Sequence, residues 1–295
     1  MNADGVTNPD KILFPDGGWT KADVVGYYHR VAEYMLPHLA GRPLTLHRFP
    51  DGIEADGFFQ QSHAKHFGDR VGTLLVRHEE PTGSLRHILC EDADCLAFLA
   101  DQATITFHRW VARRSNIDCP DLLIFDLDPP GDDMGLLKRT ARRVGSLLSD
   151  CRLSPFVMTT GSSGLHVVAP LLPRVDFGGV RQLASALAER LVASCPEELT
   201  TEQRRASRGG RLYLDVMRNA FGQTAVAPYS LRARPGAPVA MPLDWAELDK
   251  SRLRPDSYTL ENVFRRLGQK GDPWAGLFEQ AGDPTAAREA LDRLG

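Results

Sequence analysis

Apolar and polar residues recur along this chain with two different periods, and the changes of period mark out its elements. After Thr20, the apolar positions Val24, Val25, Tyr28, Val31 and Met35 fall three and four residues apart, the spacing of one helix face. Thr20-Lys21-Ala22-Asp23 ahead of them reads as a capping box, and Gly41-Arg42-Pro43 stops the segment. Leu44 to Phe49 predicts a strand and Pro50-Asp51-Gly52 a turn. Phe58-Phe59 follow a glycine-bearing loop. Leu74 to Arg77 predicts a further strand, Leu96 to Ala103 a helix, and Ile105 to Trp110 an extended segment.

The second half alternates more regularly. Leu122 to Asp128 predicts a strand. Leu136 to Leu148 predicts an amphipathic helix with Leu137, Val144, Leu147 and Leu148 inward. Phe156 to Thr159 and Leu165 to Leu171 predict strands joined by the turn Gly161-Ser162-Ser163-Gly164. Val180 to Ala193 predicts a helix, and Arg211 to Met217 a strand carrying Asp215. The tail from Thr259 predicts short helices broken at Gly271-Asp272-Pro273. Strand, helix, two strands, helix, strand is an order that suits an α+β sheet with helices on one face.

The strand ending Phe125-Asp126-Leu127-Asp128-Pro129-Pro130 carries the chemistry. Side chains alternate along a strand, so Asp126 and Asp128 point to one face, where two carboxylates repel each other and suit a hard divalent cation. Asp215, at the end of the strand through Leu212 and Leu214, is a third such carboxylate. Three aspartates from two strands can hold two metal ions. Taken singly, each aspartate is more often a turn or cap residue. In Thr160-Gly161-Ser162-Ser163-Gly164-Leu165-His166, two glycines admit an anion to the backbone, two serines add hydroxyls, and His166 stands just beyond. A Gly-Ser turn alone is usually a hairpin turn, and a lone histidine on an apolar strand is usually core. Beside an Asp-x-Asp strand they point to a metal-dependent enzyme acting on phosphates.

Composition changes this picture little. The chain has 295 residues, 42% hydrophobic and 25% charged, and a net charge of −3. It contains no apolar run long enough to span a membrane. Met1 to Pro9 carry no basic-then-apolar leader signal. Five cysteines in such a chain favour reduced thiols and a cytoplasmic setting. The net charge does not announce a nucleic-acid binder, but its distribution says more. Seven arginines (Arg204, Arg205, Arg208, Arg211, Arg218, Arg232 and Arg234) stand between Thr200 and Gly236 against Glu202 and Asp215, enough to bind phosphate locally or to form a solvated face. His63, His66, His87, Cys90 and Cys95 raise a zinc reading, which the long Cys90-to-Cys95 spacing in an apolar, helical segment disfavours.

Phe125-Asp-Leu-Asp-Pro-Pro130, Gly161-Ser-Ser-Gly-Leu-His-Val167, Asp215, the string Gly222 to Pro238 and Pro242-Leu-Asp-Trp245 together resemble the polymerase domain of bacterial ligase D, in the archaeo-eukaryotic primase superfamily. The resemblance runs from Asn8 to Trp274. It implies a primase-like catalytic core of α+β class. Residues 1–118 would form an N-terminal α/β module for DNA and 5′-phosphate contacts, and residues 119–295 an RRM-like catalytic module with C-terminal helices. Together they would make one primase-polymerase domain with its cleft between the modules. It further implies nucleotide addition to primer 3′ ends at gaps or breaks, as in non-homologous end joining, with ribonucleotides preferred. Two Mn2+ or Mg2+ ions would serve as cofactors. Partners would be DNA with a 5′-phosphate, NTP or dNTP, Ku and a DNA ligase, in a cytoplasmic, nucleoid-associated setting. The chain's length leaves no room for a ligase domain, so joining is expected from a partner.

Position by position, the resemblance assigns Asp126, Asp128 and Asp215 to catalysis and metal binding, Ser162, His166 and Arg232 to the triphosphate, and His108 to the nucleotide sugar. It assigns Lys11 and Lys21 to the downstream 5′-phosphate, and Phe58 and Phe59 to stacking on the template. The chain departs from the pattern at Gln61 and His47, where members often carry basic residues. It departs again at Ser163, where some carry lysine, and at Arg218, where glutamine is frequent. Gln61 and His47 would weaken the grip on DNA and leave nucleotide chemistry intact. Two rivals remain. One is a glycosyltransferase, which also uses Asp-x-Asp and a metal but has no use for Asp215 and the basic segment. The other is an end-binding scaffold of the same fold.

Overall fold

The computed structural model describes residues 5–77 and 83–294. Residues 1–4, the start of the segment read for a leader, lie outside them. The chain opens with a two-stranded ribbon of β1 (Ile12–Phe14) and β2 (Trp19–Thr20), followed by helix α1 (Lys21–Leu39). The expected capping box is in place: Thr20 Oγ1 accepts from the Asp23 amide and Asp23 Oδ2 from the Thr20 amide. Strands β3 (Leu44–Arg48), β4 (Phe58–Gln60), β5 (Gly72–Arg77) and β6 (Ser84–Leu89) follow, then α2 (Ala93–Asp101) and β7 (Thr104–Arg109). Helix α2 begins earlier than its apolar run because Asp92 caps it, accepting from the Cys95 amide at 2.7 Å.

The second half contains β8 (Leu122–Asp128), α3 (Met134–Asp150), β9 (Phe156–Thr159), β10 (Leu165–Pro170), α4 (Phe177–Ser194), β11 (Leu199–Thr200), β12 (Leu212–Asp215), β13 (Ala225–Val226) and β14 (Pro242–Leu243). Helices α5 (Val263–Lys270) and α6 (Pro284–Arg293) close the chain. None of the described helices is long and apolar enough to cross a membrane.

Instead of one division near residue 118, the chain packs as two compact units that each draw on separated stretches. One gathers the chain up to Ser115 with Thr224–Ala240 and Tyr258–Arg266; the other gathers Asn116–Gln223, Met241–Ser257 and the chain from Leu267 onward. Hydrogen bonds explain the return. β13 pairs with β7, placing Val226 opposite His108, while the Tyr27 hydroxyl donates to the Tyr229 carbonyl and the Tyr28 hydroxyl accepts from the Leu231 amide.

The first unit's sheet runs β13-β7-β3-β6-β5, with β4 on the far half of β3. α1 and α2 pack on each other, and Tyr28 of α1 reaches the Ile105 carbonyl of β7. The second unit's sheet runs β11-β12-β8-β10-β9-β14, antiparallel except for β11-β12. α3 and α4 pack beside each other against β8, so the helices share a face and the α+β expectation holds. β8 is the central strand of this sheet. Leu122, Leu123, Phe125 and Leu127 are fully buried, the burial expected of a strand covered on both sides.

Candidate active site

The carboxylates meet through strand register. In β8, Asp126 lies directly opposite His166 of β10 on one side and Asp215 of β12 on the other. Residues opposite each other in antiparallel strands project to the same face, so His166, Asp126 and Asp215 form one row across three strands. Asp128 stands two residues further along β8, on the same face, opposite Tyr213. Asp126 and His166 are 7% and 3% exposed.

The row is strongly paired. His166 Nε2 lies 3.3 Å from Asp126 Oδ1, and Arg218 Nε lies 3.2 Å from Asp126 Oδ2 and 3.8 Å from Asp215 Oδ2. Burial alone would raise the Asp126 carboxyl, but His166 and Arg218 outweigh it and hold the carboxyl at about 2. Asp128 makes no such ion pair, and the charges of Arg208 and Arg218 offset its surroundings only in part. Burial, then the charges of Asp126 and Asp215, push it up to about 6. Burial and Asp215 likewise push the Tyr213 phenol up to about 12.

Local structure aims Arg218. Beyond Asp215 the chain turns through a 3-10 segment, Met217–Asn219, and Asp215 Oδ1 accepts from the Met217 amide at 2.8 Å. The buried Asn219 side chain then completes the edge of β8, accepting from the Ile124 amide and donating to the Ile124 carbonyl, both at 2.8 Å. Between these anchors, Arg218 points back toward the carboxylates. This is why β12 ends at Asp215 and not at Met217.

Three carboxylate groups on one face are a hard-oxygen donor set, and the raised Asp128 marks a site short of positive charge. Both observations fit divalent cations. Among the described residues, no three donors already converge on one point; Arg218 stands between two of them.

The turn between β9 and β10 closes on itself. The Thr160 amide donates to the Gly164 carbonyl at 3.1 Å, and Thr160 Oγ1 accepts from the Gly164 amide at 3.2 Å. Gly161 sits at φ +65°, and a Cβ at Gly164 would lie 2.3 Å from the Leu127 carbonyl oxygen. Glycine is therefore required at both positions. The Ser162 and Ser163 amides donate to no protein acceptor among the described residues. Ser162 is partly exposed beside His166 in sequence, on the same unit as the aspartates.

The other expected contacts belong to the first unit. His47, Phe59 and His108 project to one sheet face; the Phe59 ring stacks on His47 at 4.1 Å and meets His108 edge-on at 6.0 Å. Phe58 and Phe59 are 46% and 63% exposed, but as neighbours in β4 they point to opposite faces, with Arg48 over the Phe58 ring. Arg232 carries enough charge near His47 to lower that imidazole, after burial has done so.

Lys11 and Lys21 are brought together, the Lys21 amide donating to the Lys11 carbonyl. The exposed Lys11 pairs with Asp51 at 2.8 Å, whereas Lys21 is buried and pairs with Asp101 at 3.0 Å. Of the residues raised for zinc, His63 and His66 lie edge-on to Phe67, and His87 to Trp110. Cys90 and Cys95 are buried free thiols.

Sequence reasoning placed Arg218 in the basic segment and as a departure from the family pattern, not beside the carboxylates, and passed over Tyr213 and Asn219. The Asp-x-x-Arg-Asn spacing from Asp215 was the available signal for Arg218 and Asn219.

The chain is similar to several known proteins. A family described as "LigD, primase-polymerase domain" matches residues 20–274. The multifunctional non-homologous end joining DNA repair protein LigD of Mycobacterium tuberculosis is 38% identical over 276 residues, covering 90% of this chain. The bifunctional non-homologous end joining protein LigD of Bacillus subtilis is 32% identical over 282 residues, covering 94%. The chain spans 36% and 44% of the lengths of these two curated relatives. A solved structure of the polymerase domain from M. tuberculosis ligase D in complex with DNA aligns with a TM-score of 0.88 and 36% identity, over 94% of this chain and 98% of that one. With the matched stretch holding every aspartate of the row, the chain belongs to the LigD primase-polymerase domain family of nucleotidyltransferases.

Proposed function

We propose that this protein is a metal-dependent polymerase that adds nucleotides, by preference ribonucleotides, to a 3′ end at short gaps or breaks in DNA during end-joining repair. The observation that carries the reading is the row Asp215-Asp126-His166 with Asp128 beside it on one sheet face. Asp126, Asp128 and Asp215 would hold two Mn2+ or Mg2+ ions. Bound there, the ions supply charge that activates a hydroxyl oxygen and steadies a leaving phosphate. Ser162 and the open amides of the turn would orient the triphosphate. His166, fixed by Asp126, would donate to a phosphate oxygen.

In the first unit, Arg232 would add charge to the triphosphate and His108 would meet the sugar. Phe58 and Phe59 would stack on template bases, worth roughly 1–3 kcal/mol per base. Lys11 and Lys21 would take a downstream 5′-phosphate, Lys21 by exchanging its bond to Asp101. Ku and a DNA ligase are the partners proposed to bring the ends and seal them, in a cytoplasmic, nucleoid-associated setting.

Primer extension on gapped DNA tests this, with Mn2+ or Mg2+, rNTPs or dNTPs, and a downstream strand with or without its 5′-phosphate. Extension by the wild type that vanishes in Asp126→Ala is expected. DNA binding without extension under every condition would overturn the polymerase reading in favour of an end-binding scaffold.

A further inference from the structure

The loop between β11 and β12 carries four arginines, Arg204, Arg205, Arg208 and Arg211, which the site above does not use. Beside Asp128 this loop walls a cavity of about 430 Å³, whose lining includes Asp132, Ser163, Arg205, Arg208 and Arg211. Among the described residues, Arg205, Arg208 and Arg211 stand within ion-pair distance of no carboxylate, though Arg208 lies near enough to Asp128 to lower its carboxyl. The hydrogen bonds of Arg208 and Arg211 run to neutral groups. The Arg208 guanidinium lies 4.0 Å over the Tyr213 ring and donates to the Glu202 and Gln203 carbonyls at 3.1 and 2.9 Å. Arg211 Nε donates to the Arg208 carbonyl at 2.8 Å. These contacts hold Arg208 and Arg211 in place, while the Arg205 side chain is exposed at the rim. The one acidic residue of the rim beyond Asp128, Asp132, lies 3.8 Å from Arg254.

Three arginines against Asp128 and Asp132 leave the cavity wall with a surplus of positive charge, which an anion would answer. The cavity lining offers charge and the Ser163 amide and no aromatic platform, so it suits phosphate without a base. It shares Asp128 with the carboxylate row, which puts it at the edge of the reacting centre. We propose that Arg205 and Arg211, with Ser163, form an anion subsite for a diphosphate moiety. The moiety would be the pyrophosphate released in the reaction, or the same two phosphates while still attached to the nucleotide.

This deepens the polymerase reading and rests on it. As the 3′ oxygen bonds to the α-phosphorus, the α–β bridging P–O bond breaks. Its electron pair stays on the departing diphosphate, and the hydroxyl proton passes to solvent. The two arginines would take up the charge that leaves.

The test is titration of the whole protein with inorganic pyrophosphate by calorimetry, beside pyrophosphate inhibition and nucleotide KM in primer extension. In the Arg205→Gln/Arg211→Gln double variant, pyrophosphate binding should weaken about ten- to a hundredfold with the melting temperature unchanged. Ser163→Lys in that background should restore much of the loss, since it returns charge to the same cavity. Weakened inhibition with an unchanged nucleotide KM would support the subsite and assign it to the released product. A joint rise of KM would support it and assign it to the bound triphosphate. Unchanged pyrophosphate affinity would overturn the proposal, as would a loss confined to gapped-DNA binding. A protein that binds pyrophosphate through these arginines yet never extends a primer would keep the subsite and sink the polymerase reading.

Discussion

Replacing Asp128 by asparagine should make the metal-free protein more stable while removing its activity. Asp128 shares a sheet face with Asp126 and Asp215, and burial together with their charges raises its carboxyl from 3.8 to about 6. A carboxyl whose folded value exceeds its unfolded one costs stability wherever it is ionised in both states. The cost is absent below about pH 4, grows as pH rises through the raised value, and is complete above it. Each factor of ten in acidity is worth about 1.4 kcal/mol, so the ceiling is about 3 kcal/mol. Asp128 is partly solvated, and screening brings the expectation to about 1–2 kcal/mol, or roughly 2–5 °C in melting temperature. Calorimetric melting of wild type and Asp128→Asn at about pH 7.5 and about pH 4, with chelator and then with Mn2+, reads both halves of the argument. The variant should gain stability at the higher pH only, and should lose most of the rise that Mn2+ gives the wild type. An equal gain at both pH values, or a loss at the higher one, would refute the repulsion argument.

Arg218 sits between Asp126 and Asp215 as an internal cation, so Arg218→Gln should lower metal-free stability by roughly 1–3 kcal/mol and tighten Mn2+ binding several-fold. Melting and calorimetric titration would show the two changes moving in opposite directions. His38 is buried beneath Arg109, Arg42 and Arg113; burial first, then those charges, drives its imidazole well below 6.5. The stability of the neutral ring is therefore full above about pH 6.5 and falls by up to about 1.4 kcal/mol per pH unit below it. Denaturant melts of wild type and His38→Leu across that window should show the flatter slope in the variant. Phe59→Ala, at an exposed ring, should weaken binding of gapped DNA by about five- to a hundredfold in a fluorescence titration and leave melting unchanged.

What was legible in the sequence was whatever a local pattern can carry. The capped start of α1, the buried run of β8 and the two-residue spacing of Asp126 and Asp128 follow from side-chain period alone. The α+β order followed from the alternation of periods. β6 escaped because its inward positions include His87, a polar residue buried against Trp110, which breaks the apolar pattern. The row His166-Asp126-Asp215 depends on which residues face each other across three strands far apart in the chain, and no local spacing encodes a register. Arg218 was visible as a residue, but its role rests on the turn that Asp215 and Asn219 build around it. Lys21 reads as a solvated lysine by type, yet Thr7 and Asp101 enclose it.

The return of β13 to the first sheet has a consequence for how this protein can be taken apart. Val226 bonds to the free side of β7, and Tyr229 and Leu231 lock to the hydroxyls of Tyr27 and Tyr28. A fragment cut near residue 118 would leave β7 as a raw edge, open to pairing with a neighbouring chain. The strand that covers it is synthesised only after the intervening Asn116–Gln223. On the ribosome the first half must therefore wait, partly finished, for the second. Duplication or recombination could transplant this enzyme only whole, because no single crossover separates its halves.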